Sequence, residues 1–361
     1  MLRPNRGMPE APFPFSAPAA RRYYFARNAV FHGMRLLGLD GTEALVPAYH
    51  HGVEVEALVA AGVTPRFVRV DARMRLDLEA LEAAIGPRTR SIYVIHYAGF
   101  PQPMTELAAI ARRRGLSLVE DCALSLLSRD GDVPLGSSGE LGIFCLYKTV
   151  PVPNGGLLVR NDGAAVLPPP PKPAPLVSSV HHAGGSLLAN AAFRAGETGQ
   201  AVRQLVREGV RAVRHASHVR HVSTGTMHFD RADVDLGMSG LSELVLGNLD
   251  FDQIVAARRR NYFLLLGRLR ELAPPIFSEL PAGVCPLFYP LLCDDKRAVK
   301  ERLAARGVET VDFWSTGHPG CDLASFPEVA ALRRRVLELP NHQDLEPEDM
   351  AYIARAVEEC L

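Results

Sequence analysis

Neither sign of charge is in excess: forty Lys plus Arg stand against forty Asp plus Glu, and the formal net charge is zero. Without a basic excess there is no field to draw phosphates, which argues against a nucleic-acid-binding or membrane-surface protein. Long hydrophobic runs are also missing. The longest apolar stretches, such as Leu287 to Cys293, fall well short of the about 18 residues of a membrane span. The start, MLRPNRGMPEAPFPFSAPAA, is too interrupted by proline to hold the apolar segment of a signal peptide, so a cytoplasmic location is expected. Cysteine is sparse: the six thiols at 122, 145, 285, 293, 321 and 360 form no Cys-x-x-Cys pair and have no companion histidines at zinc spacing. Reduced, mostly buried thiols and no metal site are therefore expected.

What is present is an ordinary globular composition, 47% apolar and 22% charged over 361 residues, enough to bury a full core in about two domains. The first twenty residues hold five prolines and no periodic pattern, and read as an extended arm. Glu43 to Pro47, Pro65 to Val70, Ser91 to Tyr97 and Leu116 to Asp121 read as strands. Helical patterns at His51 to Ala61, Leu76 to Ile85 and Met104 to Arg114 alternate with them, the rhythm of a parallel sheet wrapped by helices. Two short strands follow, Leu141 to Tyr147 and Gly156 to Arg160, then a polyproline connector at 168–175. Helical patterns cover Glu197 to Val219 and about Leu241 to Leu272. The end reads as strand 284–293, helix 296–306, a strand near 308–313, helix 327–336 and a helix after Glu346. The expected division is an arm over 1–25, a large domain over 26–250 with an insert at about 165–235, and a small α+β domain over 251–361.

The stretch from Leu118 to Gly156 carries the chemistry. Asp121 ends a predicted parallel strand, where doubly wound sheets place ligand-binding groups, and its carboxylate can hold a cationic ring nitrogen. Lys148 follows an apolar strand, where desolvation in a dry pocket would make its amine nucleophilic. A carboxylate for the ring nitrogen and a lysine for the aldehyde are the two protein groups that pyridoxal phosphate most needs. By spacing alone, a solvated lysine and a helix-capping aspartate fit as well.

The blocks EALVPAYHHGVEVEALVAAGVTPRFVRVD, LDLEALEAAIGPRTRSIYVIHYAGFPQPM, LVEDCA, PLGSSGELGIF and LELPNHQDLEPEDMAYIARAV resemble, in order, those of the DegT/DnrJ/StrS family of pyridoxal-phosphate-dependent aminotransferases. The resemblance is good over about 43–160, looser over 236–361 and nearly absent over 165–235. It implies an α/β fold of the fold type I class, like aspartate aminotransferase, with a smaller C-terminal α+β domain. It also implies a homodimer with shared active sites, and transfer of an amino group from glutamate or glutamine to a keto sugar, usually nucleotide-linked.

Carried over by position, Lys148 is the Schiff-base lysine, Asp121 the partner of the pyridinium and His51 the ring that stacks on the cofactor, with His50 beside it. His96, Tyr97 and Asn154 become candidates for the active-site wall, with Gly155 supplying a turn; His342 reads mainly as structural. The chain also departs from the family. Where members begin the first helix with Ser-Gly-Thr to bind the cofactor phosphate, Ala26-Arg27-Asn28-Ala29 stands here, so Arg27 and Asn28 are the phosphate candidates. Leu124 replaces a Gln or His near the cofactor's phenolic oxygen, and Cys145 a Ser. The segment GIFCLYKTVPVPNGG is shorter than its family counterpart.

Arg203, Arg207, Arg211 and Arg214 share one helix face by spacing, available to a diphosphate or an acidic partner, or simply solvated. Arg258-Arg259-Arg260 reads as part of a helix at the domain junction. Three functions stay open: an aminotransferase; elimination, decarboxylation or condensation with the same cofactor; or a non-catalytic relative that binds a partner.

Overall fold

The computed structural model describes residues 11–164, 166–169, 171–174 and 228–361. The helix expected over 197–219 and the arginine stripe from Arg203 to Arg214 lie outside them. Strand β1 (Ala20–Tyr23) precedes helix α1 (Ala26–Leu36), and β2 (Glu43–Pro47), α2 (Val53–Ala60), β3 (Thr64–Val68), α3 (Leu78–Ala83), β4 (Thr89–Ile95), α4 (Met104–Arg114) and β5 (Ser117–Asp121) follow in the predicted alternation. Local chemistry sets the ends. Asp77 caps α3 by accepting from the Ala80 N–H at 3.0 Å, and α4 stops at Gly115, whose φ of 64° is left-handed. A short hairpin, β6 (Arg129–Asp130) and β7 (Val133–Pro134), leads to β8 (Leu141–Cys145) and β9 (Gly156–Arg160).

One seven-stranded sheet has the order β1-β9-β8-β5-β4-β2-β3. The pairs β2·β3, β2·β4, β4·β5 and β5·β8 are parallel, whereas β8·β9 and β1·β9 are antiparallel. Every residue of β2 and β8 is buried, as expected of strands covered on both faces. Because β5 and β8 run in parallel, Asp121 and the turn carrying Lys148 leave the sheet at the same edge. Residues 20–23, placed with the arm in the sequence reading, instead form the edge strand β1. The antiparallel register Ala20↔Val159 to Tyr23↔Gly156 ties the start of the chain to the strand after the lysine turn.

The helical region expected over 241–272 is two helices, α5 (Gly240–Leu246) and α6 (Phe251–Leu269). Asp250 interrupts it by capping α6 through the Gln253 N–H at 3.0 Å. The C-terminal part holds β10 (Tyr289–Leu292), α7 (Lys296–Ala305), β11 (Val311–Asp312), α8 (Pro327–Arg335), β12 (Val336–Leu339) and α9 (Pro347–Cys360). Its antiparallel sheet has the order β10-β12-β11, and α9 packs on α6 and α7. The strand expected over 284–293 is confined to Tyr289–Leu292, in its second half, because the preceding residues run along the loop that follows β4: the Leu287 N–H donates to Ala98 O at 3.0 Å. There Gly99, with φ 102°, passes so close that a Cβ would lie 2.3 Å from Cys285 O. Strand β12 was not anticipated at all.

Candidate active site

At the carboxyl edge of the large sheet, where the small sheet approaches, lie an outer cleft of about 590 Å³ and an inner recess of about 180 Å³. His51, Leu124, Lys148 and Trp314 line both. Asp121, Glu54, Arg27, Cys145 and Tyr147 belong to the recess; Arg258, Glu338 and His342 belong to the cleft.

Asp121 is buried at the end of β5, fixed by the Tyr93 hydroxyl donating to Oδ2 at 2.7 Å and by the Ala123 N–H donating to Oδ1 at 2.8 Å. Among the described residues it has no ion-pair partner. Burial, and then the nearby Glu54 carboxyl, push its carboxyl up to about 6, while Tyr93, the Ala123 N–H and Lys148 pull it back. A buried acid whose folded value lies above its unfolded one stabilises the protein at low pH, and that contribution is lost as pH rises through the folded value. The cofactor-free chain is accordingly expected to lose on the order of 3 kcal/mol of stability from Asp121 between about pH 4 and 6. Urea denaturation across that range checks this: Asp121→Asn should flatten the slope, and equal slopes in the two proteins would contradict it.

Lys148 sits in the turn after β8 and is exposed, so the described residues do not by themselves form the dry pocket expected from the sequence. The chain has four lysines, and three are tied down. Lys172 lies 3.5 Å from Asp235, Lys296 donates to Ser315 Oγ at 2.8 Å and Lys300 to Asp312 at 2.5 Å. Only the Lys148 amine, facing the cleft, has neither a hydrogen bond nor an ion pair among the described residues. Its turn is held by Arg258, whose Nη2 donates to Thr149 O at 3.1 Å while Nη1 donates to Leu287 O at 2.8 Å and Nε to Gln343 at 2.8 Å. One buried guanidinium thus joins the lysine turn to the segments that precede β10 and follow β12.

His51 is half-buried. Burial first, then Lys148 and Arg27, push its imidazole down to about 4, leaving a neutral flat ring, and its Nδ1 finds no partner. Arg27 is buried in the recess with its guanidinium 3.7 Å over the Phe25 ring. Asn28 is not in the recess: its Nδ2 donates to Asp233 O at 2.8 Å, tying α1 to the chain beyond residue 228. Leu124 and Cys145 form apolar wall, as their types imply.

The remaining sequence candidates are carried away from the cleft. His96 is fully buried; its Nδ1 accepts from the Gln102 N–H at 3.0 Å, which leaves Nε2–H to donate to Glu120 at 3.1 Å. Glu120 also accepts from the N–H groups of Gly136, Ser138 and Gly139. Burial opposes its charge, yet these bonds, His96 foremost, hold its carboxyl below the usual range. With Cys122 this trio is close enough to hold a metal, but its nitrogen and oxygen atoms are already engaged in a core network. Tyr97 is buried and donates to Tyr49 O at 2.5 Å. The Nδ1 of His50 lies 3.0 Å from Pro47 O, and its Nε2 accepts from the His318 N–H at 2.9 Å. Asn154 is buried against Ser239 and Ser242, and Gly155 beside it has φ 152°, so this pair shapes the backbone. His342 does line the cleft.

Three residues lining the cleft or recess escaped the sequence reading, Glu54, Trp314 and Glu338, while Arg258, read as part of a helix at the domain junction, lines the cleft. Glu54 accepts from the His51 N–H at 2.7 Å, a local i,i+3 cap visible in hindsight as His-Gly-Val-Glu. Trp314, the single tryptophan, has an unusual φ of 43°, and nothing in its sequence neighbourhood signals that.

The residues present fit pyridoxal phosphate. A buried carboxyl awaits a cation, a neutral ring with an orphan nitrogen lies beside it, and a partnerless lysine amine opens on the same recess. The large, mostly parallel sheet with its small antiparallel companion is the fold type I architecture of pyridoxal-phosphate-dependent transferases. Residues 26–166 match the model of the DegT/DnrJ/EryC1/StrS aminotransferase family. Over residues 26–166, which hold Asp121 and Lys148, the chain matches that family, and the site so defined is that of a pyridoxal-phosphate-dependent aminotransferase.

A UDP-N-acetyl-3-dehydro-alpha-D-glucosamine 3-aminotransferase of Acidithiobacillus ferrooxidans is 26% identical over 349 residues, covering 92% of this chain and 82% of that protein. An L-glutamine:scyllo-inosose aminotransferase of Streptomyces griseus is 36% identical, but over only 35% of this chain and 31% of its own length. Among solved structures, the sugar aminotransferase CalS13 of Micromonospora echinospora superposes with a TM-score of 0.66 at 19% identity, over 95% of this chain and 88% of that one. A DegT DnrJ EryC1 StrS aminotransferase of Brucella abortus gives 0.64 at 21%, over 95% and 86%. No helix among the described residues is long and apolar enough to cross a membrane.

Proposed function

We propose that the chain transfers an amino group from glutamate or glutamine to a keto group on a sugar or related ring polyol, with nucleotide-linked sugars as the first acceptors to try, and that it works as a homodimer. The observation that carries this is the partnerless Lys148 amine opening on the same recess as the buried Asp121 carboxyl. The acceptor class is supported by the names of the relatives, which act on a nucleotide-linked keto sugar and on an inosose. The exposure of Lys148 among the described residues is what a dimer would remedy, a second subunit shielding the amine from water.

When bound, the cofactor supplies an electron sink for the carbon that loses its proton. Asp121 holds the proton on the ring nitrogen, and Tyr93 and the Ala123 N–H keep the carboxylate aimed. His51, neutral and lining the same recess, would offer its flat face to the cofactor ring. Lys148 would hold the cofactor through its amine and, with that amine displaced by the donor, would be the base that moves the proton from the donor's α-carbon. Arg27 binds the phosphate in place of a hydroxyl nest. Arg27→Ala should accordingly weaken pyridoxal phosphate by about 10- to 100-fold while leaving phosphate-free pyridoxal unchanged, as for a lost hydrogen bond to a charged group. Equal losses for both ligands, read by fluorescence titration, would contradict that role.

The reading is tested by mixing the loaded protein with glutamine or glutamate. Loss of the visible band with one equivalent of 2-oxo acid, and its return on adding scyllo-inosose or a nucleotide-linked keto sugar, is the expected result. Band loss with carbon dioxide or ammonia released and no 2-oxo acid would replace transamination with another reaction of the same cofactor.

A further inference from the structure

Trp314, the chain's single tryptophan, follows β11 with a φ of 43°. A bulky residue enters that left-handed region only at a cost in free energy, and stays there only where its surroundings fix it. Arg333, buried in the last turn of α8, does this. Its Nη1 donates to Trp314 O and Thr316 O, both at 2.6 Å, while Nη2 donates to His50 O at 3.0 Å and to Ala48 O at 3.2 Å. The planar fork thus bonds the loop after β11 to the loop after β2, which carries His51. A second tie between the same loops is the His318 N–H donating to His50 Nε2 at 2.9 Å.

A buried guanidinium that meets four carbonyls and, among the described residues, no carboxylate is a costly way to hold two loops, because its charge leaves water without an ion pair. What it holds is the indole. Trp314 stacks on Phe313 with ring centres 4.5 Å apart and makes T-shaped contacts with Tyr49 and Tyr97 at 5.5 and 5.6 Å, so its inner side is fixed by packing. It also lines both the outer cleft and the inner recess, as do Leu124, Lys148 and His51, whose ring centre is 6.3 Å away. These four shared residues mark the junction of the two chambers. Among the described residues the indole N–H makes no hydrogen bond, although a buried tryptophan usually finds a partner for it. An apolar wall with one open donor suits the face of a sugar or polyol ring, whose C–H groups pack on the indole while a hydroxyl oxygen accepts its N–H.

We propose that Arg333 is a positioning residue for Trp314: it clamps the two loops so that the indole meets the ring of the amino acceptor in the outer cleft, and Trp314 thereby favours ring acceptors. The proposal rests on the acceptor being a keto sugar or ring polyol. Arg333 lines neither chamber, so it acts only through the loops it joins. Glutamate, a short chain without a ring, has no such face to present, and its half-reaction depends little on the clamp.

The test reads tryptophan emission, which in this chain comes from Trp314 alone, in full-length protein loaded with pyridoxamine phosphate. The probes are scyllo-inositol and UDP-N-acetylglucosamine, rings without a keto group that bind without reacting. At saturation one of them is expected to cut quenching by acrylamide about twofold, and glutamate to leave it unchanged. Arg333→Lys keeps the charge but not the fork; it should raise the half-saturating concentration of that probe about tenfold, as for a misplaced contact. Half-saturation by glutamate in the donor half-reaction should stay within about threefold. Protection by neither probe, an unshifted probe in the variant, or equal shifts for probe and glutamate would overturn the proposal. If the Lys variant does not fold, Gly317→Ala decides on the same split, since a Cβ there lies 2.3 Å from Arg333 Nη2. Wild-type protein in which a probe protects Trp314 but glutamate and glutamine yield no 2-oxo acid would overturn the transamination reading alone.

Discussion

A Lys148→Ala chain mixed with pyridoxal phosphate is expected to show no visible band and no detectable amino transfer, although it should still fold. The side chain is exposed and partnerless, so its removal breaks no packing and leaves no buried group unsatisfied; surface changes of this kind shift stability by about 0.5 kcal/mol or less. The turn does not depend on the amine, because the main chain at Thr149 is clamped by Arg258. The contrast between an unchanged urea midpoint and an abolished spectrum separates loss of the reacting atom from loss of the fold. Residual transfer above the rate of free cofactor in buffer would mean that another group does this work.

Asp121→Asn is expected to slow the donor half-reaction by between about a hundredfold and a few thousandfold. Removing one partner of a buried charge pair costs about 3–5 kcal/mol, and each 1.4 kcal/mol on a barrier is about tenfold. The amide keeps the shape: its oxygen can still accept from the Ala123 N–H that holds the carboxylate at 2.8 Å, while its NH2 can donate to the Tyr93 hydroxyl oxygen, now 2.7 Å from the carboxylate. What it lacks is the negative charge that keeps a proton on the ring nitrogen. Stopped-flow decay of the visible band after adding glutamate measures the effect, and a change under about threefold would remove Asp121 from the site. In the cofactor-free chain the same substitution should stabilise the protein above pH 6, the opposite direction, because there the charge has no partner.

Much of the large sheet was legible because its strands from β2 to β5 alternate with helices along the chain, and position at a strand's carboxyl end is itself information. That logic picked out Asp121 and Lys148, and the structure places both at one recess. It could not decide direction. His96 and Tyr97 follow β4 as Lys148 follows β8, yet Glu120 on the neighbouring strand draws His96 into the core and Tyr49 O does the same for Tyr97. Those partners are 24 and 48 residues away in sequence, and no local pattern announces them. The small-domain side of the cleft was hidden for a related reason. The register of β12 between β10 and β11 is set by pairing, and it is that register that puts one glutamate of an apolar run in the wall of the cleft. Asn28 was misplaced because the residue that holds it, Asp233, lies 205 positions on.

The central claim is that Lys148 alone carries the cofactor. Reduction of the pyridoxal-phosphate-loaded protein with borohydride, followed by proteolysis and mass mapping, tests it directly, since the chain offers only Lys148, Lys172, Lys296 and Lys300. The account predicts one phosphopyridoxyl group per chain, on Lys148. A label on any of the other three, or a visible band that leaves no label after reduction, would contradict it.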